Sequence, residues 1–337
     1  MKAWQVNRHG EPRDVLELTE VPEPTPGPGQ LLVRVLAAAA NFPDVLLCRG
    51  TYQTRPSMPF CPGIELCGEV VAVGEGVPGS GMPDVDAPEF SVGDRVIGGT
   101  ALPFGAFAEF ALMDAADAAP APDVLDNAEA APFYITYQTG WFGLHRRARL
   151  AAGETLLVHA AAGGVGSGAV QLGKAAGARV IGVVGGPEKA QVARELGADV
   201  VVDRYHEDFV AVVKEVTDGR GADVVYDPVG GDAFRRSVKC IAFEGRILVV
   251  GFASGDIPSA ALNHALLKNY SILGLYWGLY QRQAPRAVRY CHAQLTRLAA
   301  AGTIRPLISE RLRLADVPDG LQRLAEGTTT GRIVFLP

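Results

Sequence analysis

Apolar positions in the second half of the chain alternate between short continuous runs and stretches with helical spacing. Residues 155–158 form an apolar run, and from Val165 onward the apolar side chains recur at the period of a helix. The further apolar runs are 180–184, 200–202, 224–226 and 247–250, separated by helical patterns such as 187–196 and 206–216. This alternation predicts a doubly wound parallel sheet. Ligands of such sheets bind at the carboxyl ends of the strands, so we expect the loops there to line one crevice.

The first part of the chain has a different pattern. Residues 1–125 contain short apolar or alternating runs, among them 3–6, 15–18, 31–36, 68–73, 95–97 and 106–112. Gly- and Pro-rich stretches separate these runs, which is typical of a barrel-like all-β unit. Residues 77–90 read as a surface loop. A helix over 285–301 and a strand over 332–336 resemble the first part again, so we expect domains at 1–125 and 126–276 and a return at 277–337.

Composition narrows the class of protein. A chain of 337 residues with 48% hydrophobic and 20% charged residues is expected to form two globular domains. The net charge of −6, without a basic stripe, argues against nucleic acid as a partner. Neither a signal peptide nor an apolar run of membrane-spanning length is visible. The five cysteines lack a CxxC pair and the six histidines are dispersed, so we expect a cytoplasmic protein with no compact metal site.

A glycine-rich turn follows the run at 155–158. The pattern Gly164-x-Gly166-x-x-Ala169 fits the dinucleotide fingerprint, in which glycines let backbone N–H groups approach a pyrophosphate at a helix N-terminus. Small residues at such a turn also occur for packing alone. The strand and helix that follow favour the dinucleotide interpretation and make Gly163, Gly164, Val165 and Gly166 candidate cofactor contacts.

The residues that follow the next strand indicate which dinucleotide cofactor the protein binds. NAD-binding sites place Asp or Glu near the end of that strand, whereas here the chain continues Gly185-Gly186-Pro187 with no acid at the tip. Lys189 and Arg204 could converge on a 2′-phosphate. The alternative is that both are ordinary solvated charges. The pattern favours NADPH over NADH. The later run 271–277 is a candidate edge strand, and self-pairing there predicts a homodimer.

Several motifs together resemble one family. They are Asn41-Phe-Pro-Asp44, Arg49-Gly-Thr-Tyr52, Pro59-Phe-Cys-Pro-Gly-Ile-Glu65-Leu-Cys-Gly68, Val92-Gly-Asp-Arg-Val96 and Ala160-Ala-Ala-Gly-Gly-Val-Gly166. The chain is similar to zinc-independent medium-chain dehydrogenase/reductases of the quinone oxidoreductase group. The resemblance implies an α/β protein with a GroES-like β-rich catalytic domain and a Rossmann doubly wound parallel sheet. Ile64 stands where zinc-dependent relatives carry a ligand histidine, so a metal-free reduction of a quinone or α,β-unsaturated carbonyl is implied.

The resemblance also implies residue roles. Tyr52 would hydrogen-bond a substrate oxygen or supply a proton, or else be a core aromatic. Asn41 and Asp44 would lie where the nicotinamide meets the substrate, or else cap a helix. Thr139 would touch the nicotinamide ribose, or else be a helix-interior hydroxyl. The remaining cofactor positions are Gly185, Val229, Gly251, Phe252 and Ser254. Glu65 is expected to be structural.

The sequence departs from the family's pattern at two places, and two alternative functions remain open. Arg204 stands where related sequences often carry Tyr, with Tyr205 one position later, and Gly185-Gly186 replaces a frequent Ser or Thr. A 2-alkenal or enoyl-thioester reductase would share the mechanism. A thioester would require a basic channel, for which Arg146, Arg147 and Arg149 are the candidates, although the pattern favours a solvated helix end. A non-catalytic NADPH-binding protein is the alternative from another class.

Overall fold

The computed structural model describes residues 1–77 and 89–337, which divide into two compact units. The first unit comprises Met1–Ile135, Gln281–Ala300 and Arg305–Pro337, and the second comprises Thr136–Tyr280 and Ala301–Ile304. Residues 126–135, which the sequence assigned to the second domain, belong to the first unit. Of the loop predicted at 77–90, residues 78–88 lie outside the described residues.

The described parts of the chain contain these strands and helices. The strands are β1 (Lys2–Val6), β2 (Leu16–Glu20), β3 (Gln30–Ala39), β4 (Glu65–Val73), β5 (Arg95–Gly99), β6 (Phe110–Asp114), β7 (Ala118–Pro120), β8 (Thr155–His159), β9 (Arg179–Val184), β10 (Val200–Asp203), β11 (Ala222–Asp227), β12 (Ile241–Val249), β13 (Ser271–Gly274), β14 (Ile308–Arg313) and β15 (Arg332–Leu336). The helices are α1 (Pro12–Val15), α2 (Phe42–Arg49), α3 (Asn127–Ala130), α4 (Phe133–Trp141), α5 (Gly164–Ala175), α6 (Pro187–Glu195), α7 (Phe209–Val216), α8 (Gly231–Ser237), α9 (Leu262–Lys268), α10 (Gly278–Gln283), α11 (Pro285–Ala300) and α12 (Val317–Ala325). None of these helices is long and apolar enough to cross a membrane.

The first unit is built on a seven-stranded sheet. Its strand order is β14-β15-β3-β4-β5-β7, and β6 pairs with β3. The long strand β3 therefore lies at the centre. The C-terminal strand β15 has the predicted bounds and pairs with β3, so the end of the chain joins the first unit as the family resemblance implied. Phe335 of β15 packs edge-on against Phe107, with ring centroids 5.3 Å apart.

The second unit contains the predicted parallel sheet. Its six strands follow the order β10-β9-β8-β11-β12-β13. Residues Leu156, Leu157 and Val158 of β8 are fully buried, as expected for a strand covered by helices on both faces. The chain runs outward from β8 to β10 and then returns to continue from β11 to β13. The switch point therefore lies between the carboxyl ends of β8 and β11, where such sheets bind ligands.

Some predicted elements differ from the observed ones. Val15 ends helix α1 rather than opening a strand, because Pro12 starts a helical turn before β2. The edge strand predicted at 271–277 is present as β13, but it ends at Gly274. Strand β14 contains only two apolar residues, Ile308 and Leu312, among Ser, Glu and Arg, and only its pairing with β15 identifies it. All five cysteines are unpaired and buried, while the cytoplasmic location stays a prediction.

Candidate active site

The turn from β8 to α5 has the shape of an anion cradle. Helix α5 begins at Gly164, and the Gly163 N–H donates to the Ala160 carbonyl at 2.8 Å. A Cβ on Gly166 would lie 2.1 Å from that carbonyl oxygen, so only glycine fits there. The first N–H groups of a helix have no intrahelical acceptor, and the helix dipole favours negative charge beside them. The turn therefore fits a diphosphate.

The two cations singled out in the sequence lie near each other at the end of β9. The Arg204 guanidinium carbon is 5.2 Å from the centroid of the Tyr205 ring. A Cβ on Gly185 would come within 3.0 Å of that ring and 3.1 Å of Arg204 Nε. Burial lowers the pKa of Lys189, and the positive charge of Arg204 lowers it further. Arg204 and Tyr205 thus lie against Gly185, and Lys189 is close enough to interact with both; we call these three residues the cation cluster.

An acidic residue also reaches this end of β9, which the sequence analysis missed. Asp203, the last residue of β10, pairs with Val184 in the parallel register. Its Oδ1 accepts hydrogen bonds from the N–H groups of Gly186 at 2.9 Å and Tyr205 at 3.1 Å, and these bonds lower its pKa. The sequence analysis found no Asp or Glu at the end of β9, and this is correct for the residues of β9 itself. The sheet order was the missing information, because β10 delivers Asp203 beside β9.

The loops after β11 and β12 are hydrogen-bonded to each other. Asp227 Oδ1 accepts from the N–H groups of Val229 and Gly230, both at 2.9 Å, which fixes the turn after β11. The Ser254 N–H then donates to the Val229 carbonyl at 3.0 Å. A Cβ on Gly230 would lie 2.7 Å from Phe252 Cδ1. Four predicted cofactor positions therefore come together here: Val229, Gly251, Phe252 and Ser254.

Thr139 lies in the part of α4 that belongs to the second unit. It is buried, as are Thr136 and Gln138 beside it. Thr136 packs on α5, where a Cβ on Gly168 would come 3.0 Å from its Cγ2. Within the described parts of the chain, Thr136 Oγ1 and both amide atoms of Gln138 have no hydrogen-bond partner. Buried polar atoms are normally paired, so these atoms are fit to hold a polar ligand or water.

Asp44 joins the start of α2 to the loop before β4. Its Oδ2 accepts from the Asn41 N–H at 2.9 Å, which is the capping role considered as the alternative. Its Oδ1 accepts from the N–H groups of Gly63 at 3.0 Å and Ile64 at 3.1 Å. The side chain is fully buried, and burial raises its pKa to about 7 against the opposing effect of these bonds. Both carboxylate oxygens are therefore used within the protein.

Asn41 belongs to a buried polar network with Glu65 and Arg332. Glu65 Oε2 accepts from Asn41 Nδ2 at 3.0 Å and from an Arg332 terminal nitrogen at 2.9 Å. The same Arg332 nitrogen donates to Asn41 Oδ1 at 2.8 Å, and Glu65 Oε1 accepts from the Ile135 N–H at 2.6 Å. Burial raises the pKa of Glu65, and the charge of Arg332 opposes that rise. The sequence analysis missed Arg332, which comes from β15 at the far end of the chain.

Tyr52 follows α2, which ends at Gly50 in the left-handed conformation with φ of 69°. The ring is half-buried and packs against the core of the first unit. This placement is compatible with both interpretations offered for Tyr52. Across residues 1–77 and 89–337, no three His, Cys, Asp or Glu side chains are grouped as metal ligands.

The arginine cluster proposed as a basic channel is engaged within the second unit. Arg146 lies in a π-helical turn and stacks over Tyr280, at 5.6 Å from its ring centroid. Arg147 Nε donates to the Gly274 carbonyl at 3.1 Å. Arg149 adopts a positive φ of 49° at the turn that follows. The contacts of Arg146 and Arg147 favour a structural role over a channel for thioester phosphates.

The fold is that of a medium-chain dehydrogenase/reductase. It combines the seven-stranded sheet of the first unit, which the C-terminal strand β15 joins, with the six-stranded parallel sheet of the second unit. The model described as alcohol dehydrogenase GroES-like domain matches residues 27–123, and that described as zinc-binding dehydrogenase matches residues 164–292. The chain belongs to the quinone oxidoreductase family of this class. It is 36% identical to the quinone oxidoreductase of Pseudomonas aeruginosa, over 100% of this chain and 99% of that one.

Two solved structures show the same fold. A mycobacterial protein complexed with NADPH is 34% identical, with a TM-score of 0.91 over 100% of both chains. The Escherichia coli quinone oxidoreductase complexed with NADPH is 30% identical, with a TM-score of 0.90 over 100% of both chains. The family and fold inferred from the sequence motifs are confirmed.

Proposed function

We propose that this protein transfers a hydride from NADPH to a quinone or an activated alkene without a metal. Its relatives support the coarser statement that it is an NADPH-dependent oxidoreductase, because two of them were solved as NADPH complexes. The NADPH prediction is thereby confirmed at the level of the family. The acceptor and the metal-free chemistry are our proposal.

The cation cluster is the observation that carries the NADPH preference in this proposal. Lys189 and Arg204 offer two neighbouring positive charges near the end of β9, and an arginine can pair with a phosphate through two parallel N–H bonds. The charge of Asp203 opposes this preference, but its Oδ1 is held by two backbone N–H groups. The balance favours a 2′-phosphate over a ribose hydroxyl.

The remaining residues of the second unit would orient the cofactor. The N-terminus of α5 would hold the diphosphate, with Gly166 permitting close approach. The joined loops carrying Val229 and Ser254 would flank the nicotinamide, with Phe252 excluding water from one face. When bound, NADPH supplies the hydride, and the protein supplies position and electrostatics.

In the first unit, we assign Tyr52 the role of hydrogen-bonding or protonating the acceptor oxygen. Asn41 and Asp44 are positioning residues rather than catalytic ones, because their polar atoms are bonded within the protein. They hold the start of α2, and Tyr52 follows the end of that helix. A quinone or conjugated carbonyl suits such a site, since conjugation spreads the charge left by the hydride and reduces the need for a Lewis acid.

The test measures NADPH and NADH oxidation against a benzoquinone, a naphthoquinone, a short 2-alkenal and crotonyl-CoA. We expect turnover with quinones and a lower KM for NADPH than for NADH. Lys189→Ala and Arg204→Ala should raise the KM for NADPH far more than that for NADH. Lys174→Ala is the control, because Lys174 is not part of the cation cluster. Its Nζ pairs with Asp199 Oδ1 at a distance of 2.7 Å.

Each other outcome points to a different conclusion. Equal effects of Lys189→Ala on both cofactors would contradict the assignment of the 2′-phosphate site. Turnover confined to the 2-alkenal or to crotonyl-CoA would favour the alkenal or enoyl-thioester reductase. Tight NADPH binding without any turnover would favour the non-catalytic alternative.

We further propose a homodimer formed through the free edge of β13. This strand ends the sheet, so its outer backbone groups have no strand partner within the described residues. Helix α9, which precedes β13 in the chain, has no buried residue, and Leu262 and Leu266 are 78% and 75% exposed. A second copy related by two-fold symmetry would pair the edges and cover these leucines.

Light scattering after size exclusion tests the dimer. We expect the wild-type protein to have twice the mass of one chain and Leu262→Asp/Leu266→Asp to be monomeric. Leu18→Asp, at an exposed leucine of the first unit, should leave the mass unchanged. A monomeric wild-type protein would refute the proposal.

A further inference from the structure

A second positively charged feature lies at the amino ends of the parallel strands, the end opposite to the candidate cofactor site. An open pocket of about 400 Å³ is formed beside the amino ends of β11 and β12. Its lining includes four cations, Lys214, Arg220, Lys239 and Lys268, and no Asp or Glu. In a chain with a net charge of −6, this concentration of positive charge is unusual. We call it the basic pocket.

The basic pocket is separate from the candidate cofactor site. Strand β11 begins at the pocket with Ala222 and ends at Asp227, which fixes the loop proposed to flank the nicotinamide. At about 3.3 Å per residue, the five steps from Ala222 to Asp227 separate the two ends by about 16 Å. A molecule in the basic pocket would therefore not compete with NADPH for its diphosphate cradle.

The charges in the basic pocket are only partly neutralised. Arg220 is held in place by Asp223 at 2.5 Å and by the Thr155 hydroxyl at 3.2 Å. Lys268 Nζ donates to the Val238 carbonyl at 2.9 Å, near the end of α8. Burial lowers the pKa of Lys268, and the like charge of Lys214 lowers it further. In the part of the chain that the structure describes, neither Lys214 nor Lys239 forms an ion pair.

Apolar side chains stand beside these charges on a packed floor. Phe243 is 71% exposed and Leu267 is 75% exposed, and both line the pocket. At the floor, the Ala222 N–H donates to the Cys240 carbonyl at 2.8 Å. A Cβ on Gly221 would lie 2.6 Å from that carbonyl oxygen, so the floor cannot accept a larger residue. The pocket therefore offers a basic side and an apolar rim.

We propose that the basic pocket binds a small phosphate ester that carries an aromatic or apolar group. The two free lysines and the fixed guanidinium would bind the phosphate, and Phe243 and Leu267 would contact the apolar part. A small ligand is favoured over a macromolecular surface because the cations converge from α7, α9 and the segments after α7 and α8 rather than forming a stripe. The volume is also that of a small-molecule site.

The simplest other role for these lysines is to complement helix C-termini. Lys214 lies in the last turn of α7, and Lys268 ends α9. That role explains the bonds of Lys268 but not the convergence with exposed Phe243. The two explanations can be distinguished by experiment. If the lysines only complement helix C-termini, replacing them changes stability alone, whereas if they form a site, replacing them weakens ligand binding.

The test uses the protein saturated with NADP⁺, so that the proposed cofactor site is filled. Calorimetric titration with 1-naphthyl phosphate in low-salt, phosphate-free buffer should show one saturable site per chain. We expect the affinity to be at least tenfold higher than that for 1-naphthol or for inorganic phosphate. Lys214→Ala/Lys239→Ala should weaken binding at least tenfold and leave NADP⁺ affinity unchanged. Lys2→Ala/Lys174→Ala is the control with the same charge change and should bind like the wild type.

Other results would overturn the proposal. No saturable binding, or binding unaffected by Lys214→Ala/Lys239→Ala, would leave the lysines as helix caps or solvated charges. Equal affinity for 1-naphthol would show an apolar site only. Retention on vesicles of anionic lipid without binding of 1-naphthyl phosphate would assign the surface to a membrane instead. Phe243→Ala should reduce the preference for the naphthyl ester over inorganic phosphate, and an unchanged preference would contradict the apolar contact.

Discussion

The buried ion pair of Glu65 and Arg332 allows a quantitative test of the first unit. Arg332→Met removes the guanidinium but keeps much of its apolar volume. The Glu65 carboxylate then remains fully buried, with hydrogen bonds only from Asn41 and the Ile135 N–H. Breaking a buried pair by removing one partner costs about 3–5 kcal/mol. We expect the free energy of unfolding to fall by about that amount.

A double variant separates the charge effect from simple loss of packing. In Glu65→Gln/Arg332→Met the buried charge is gone. The new amide oxygen can accept from the Ile135 N–H, and its nitrogen can donate to Asn41 Oδ1. We expect a loss of less than about 2 kcal/mol, because neutral replacement of a buried pair is often tolerated. Glu65→Gln completes the cycle: it leaves the Arg332 charge buried without its partner and should also cost about 3–5 kcal/mol, so the cycle would report a coupling of at least about 4 kcal/mol.

The same sheet offers an exposed pair as the control. Arg34 contacts Glu69 at 2.9 Å, with side chains 51% and 36% exposed. Arg34→Met should cost less than about 1 kcal/mol, since solvent screens such pairs. Urea unfolding followed by tryptophan fluorescence measures all variants, and Trp4 reports on the first unit. A loss below 1 kcal/mol for Arg332→Met, or an equal loss in the double variant, would refute the reasoning.

Further substitutions test other parts of the proposed site. Burial raises the pKa of Asp44 from 3.8 to about 7, so the folded protein holds a proton that the unfolded chain releases. The free energy of unfolding should therefore decrease as the pH rises from about 4 to about 7, by up to about 1.4 kcal/mol per pH unit. The urea midpoint should depend less on pH in Asp44→Asn than in the wild type. Identical pH profiles for the two proteins would refute this. Gly166→Ala should weaken NADPH binding about tenfold or more in calorimetry, because its Cβ would lie 2.1 Å from a carbonyl oxygen. Gly163→Ala, with a 3.2 Å contact, is the milder control. Tyr52→Phe should lower kcat about 100-fold with little change in KM for NADPH. An unchanged kcat would assign Tyr52 to the core.

Local sequence patterns were sufficient to predict those structural features that a single short stretch of the chain determines. The apolar runs predicted the strands of the parallel sheet, and the turn at Gly164 and Gly166 predicted the start of α5. The motif containing Asn41 and Asp44 predicted a helix start, which the structure confirms. These features depend on sequence-adjacent residues, whose spacing is directly visible.

The tertiary structure decided which distant residues meet. The sequence by itself determined the family, the two kinds of sheet and the loops expected to hold a dinucleotide. Only the strand order brought Asp203 to Gly186, and only the pairing of β15 with β3 brought Arg332 to Glu65. A single charged residue carries no signal of its partner when that partner lies 267 positions away. The partner is chosen by sheet pairing and by the need to neutralise a buried charge, both of which arise only in the folded chain.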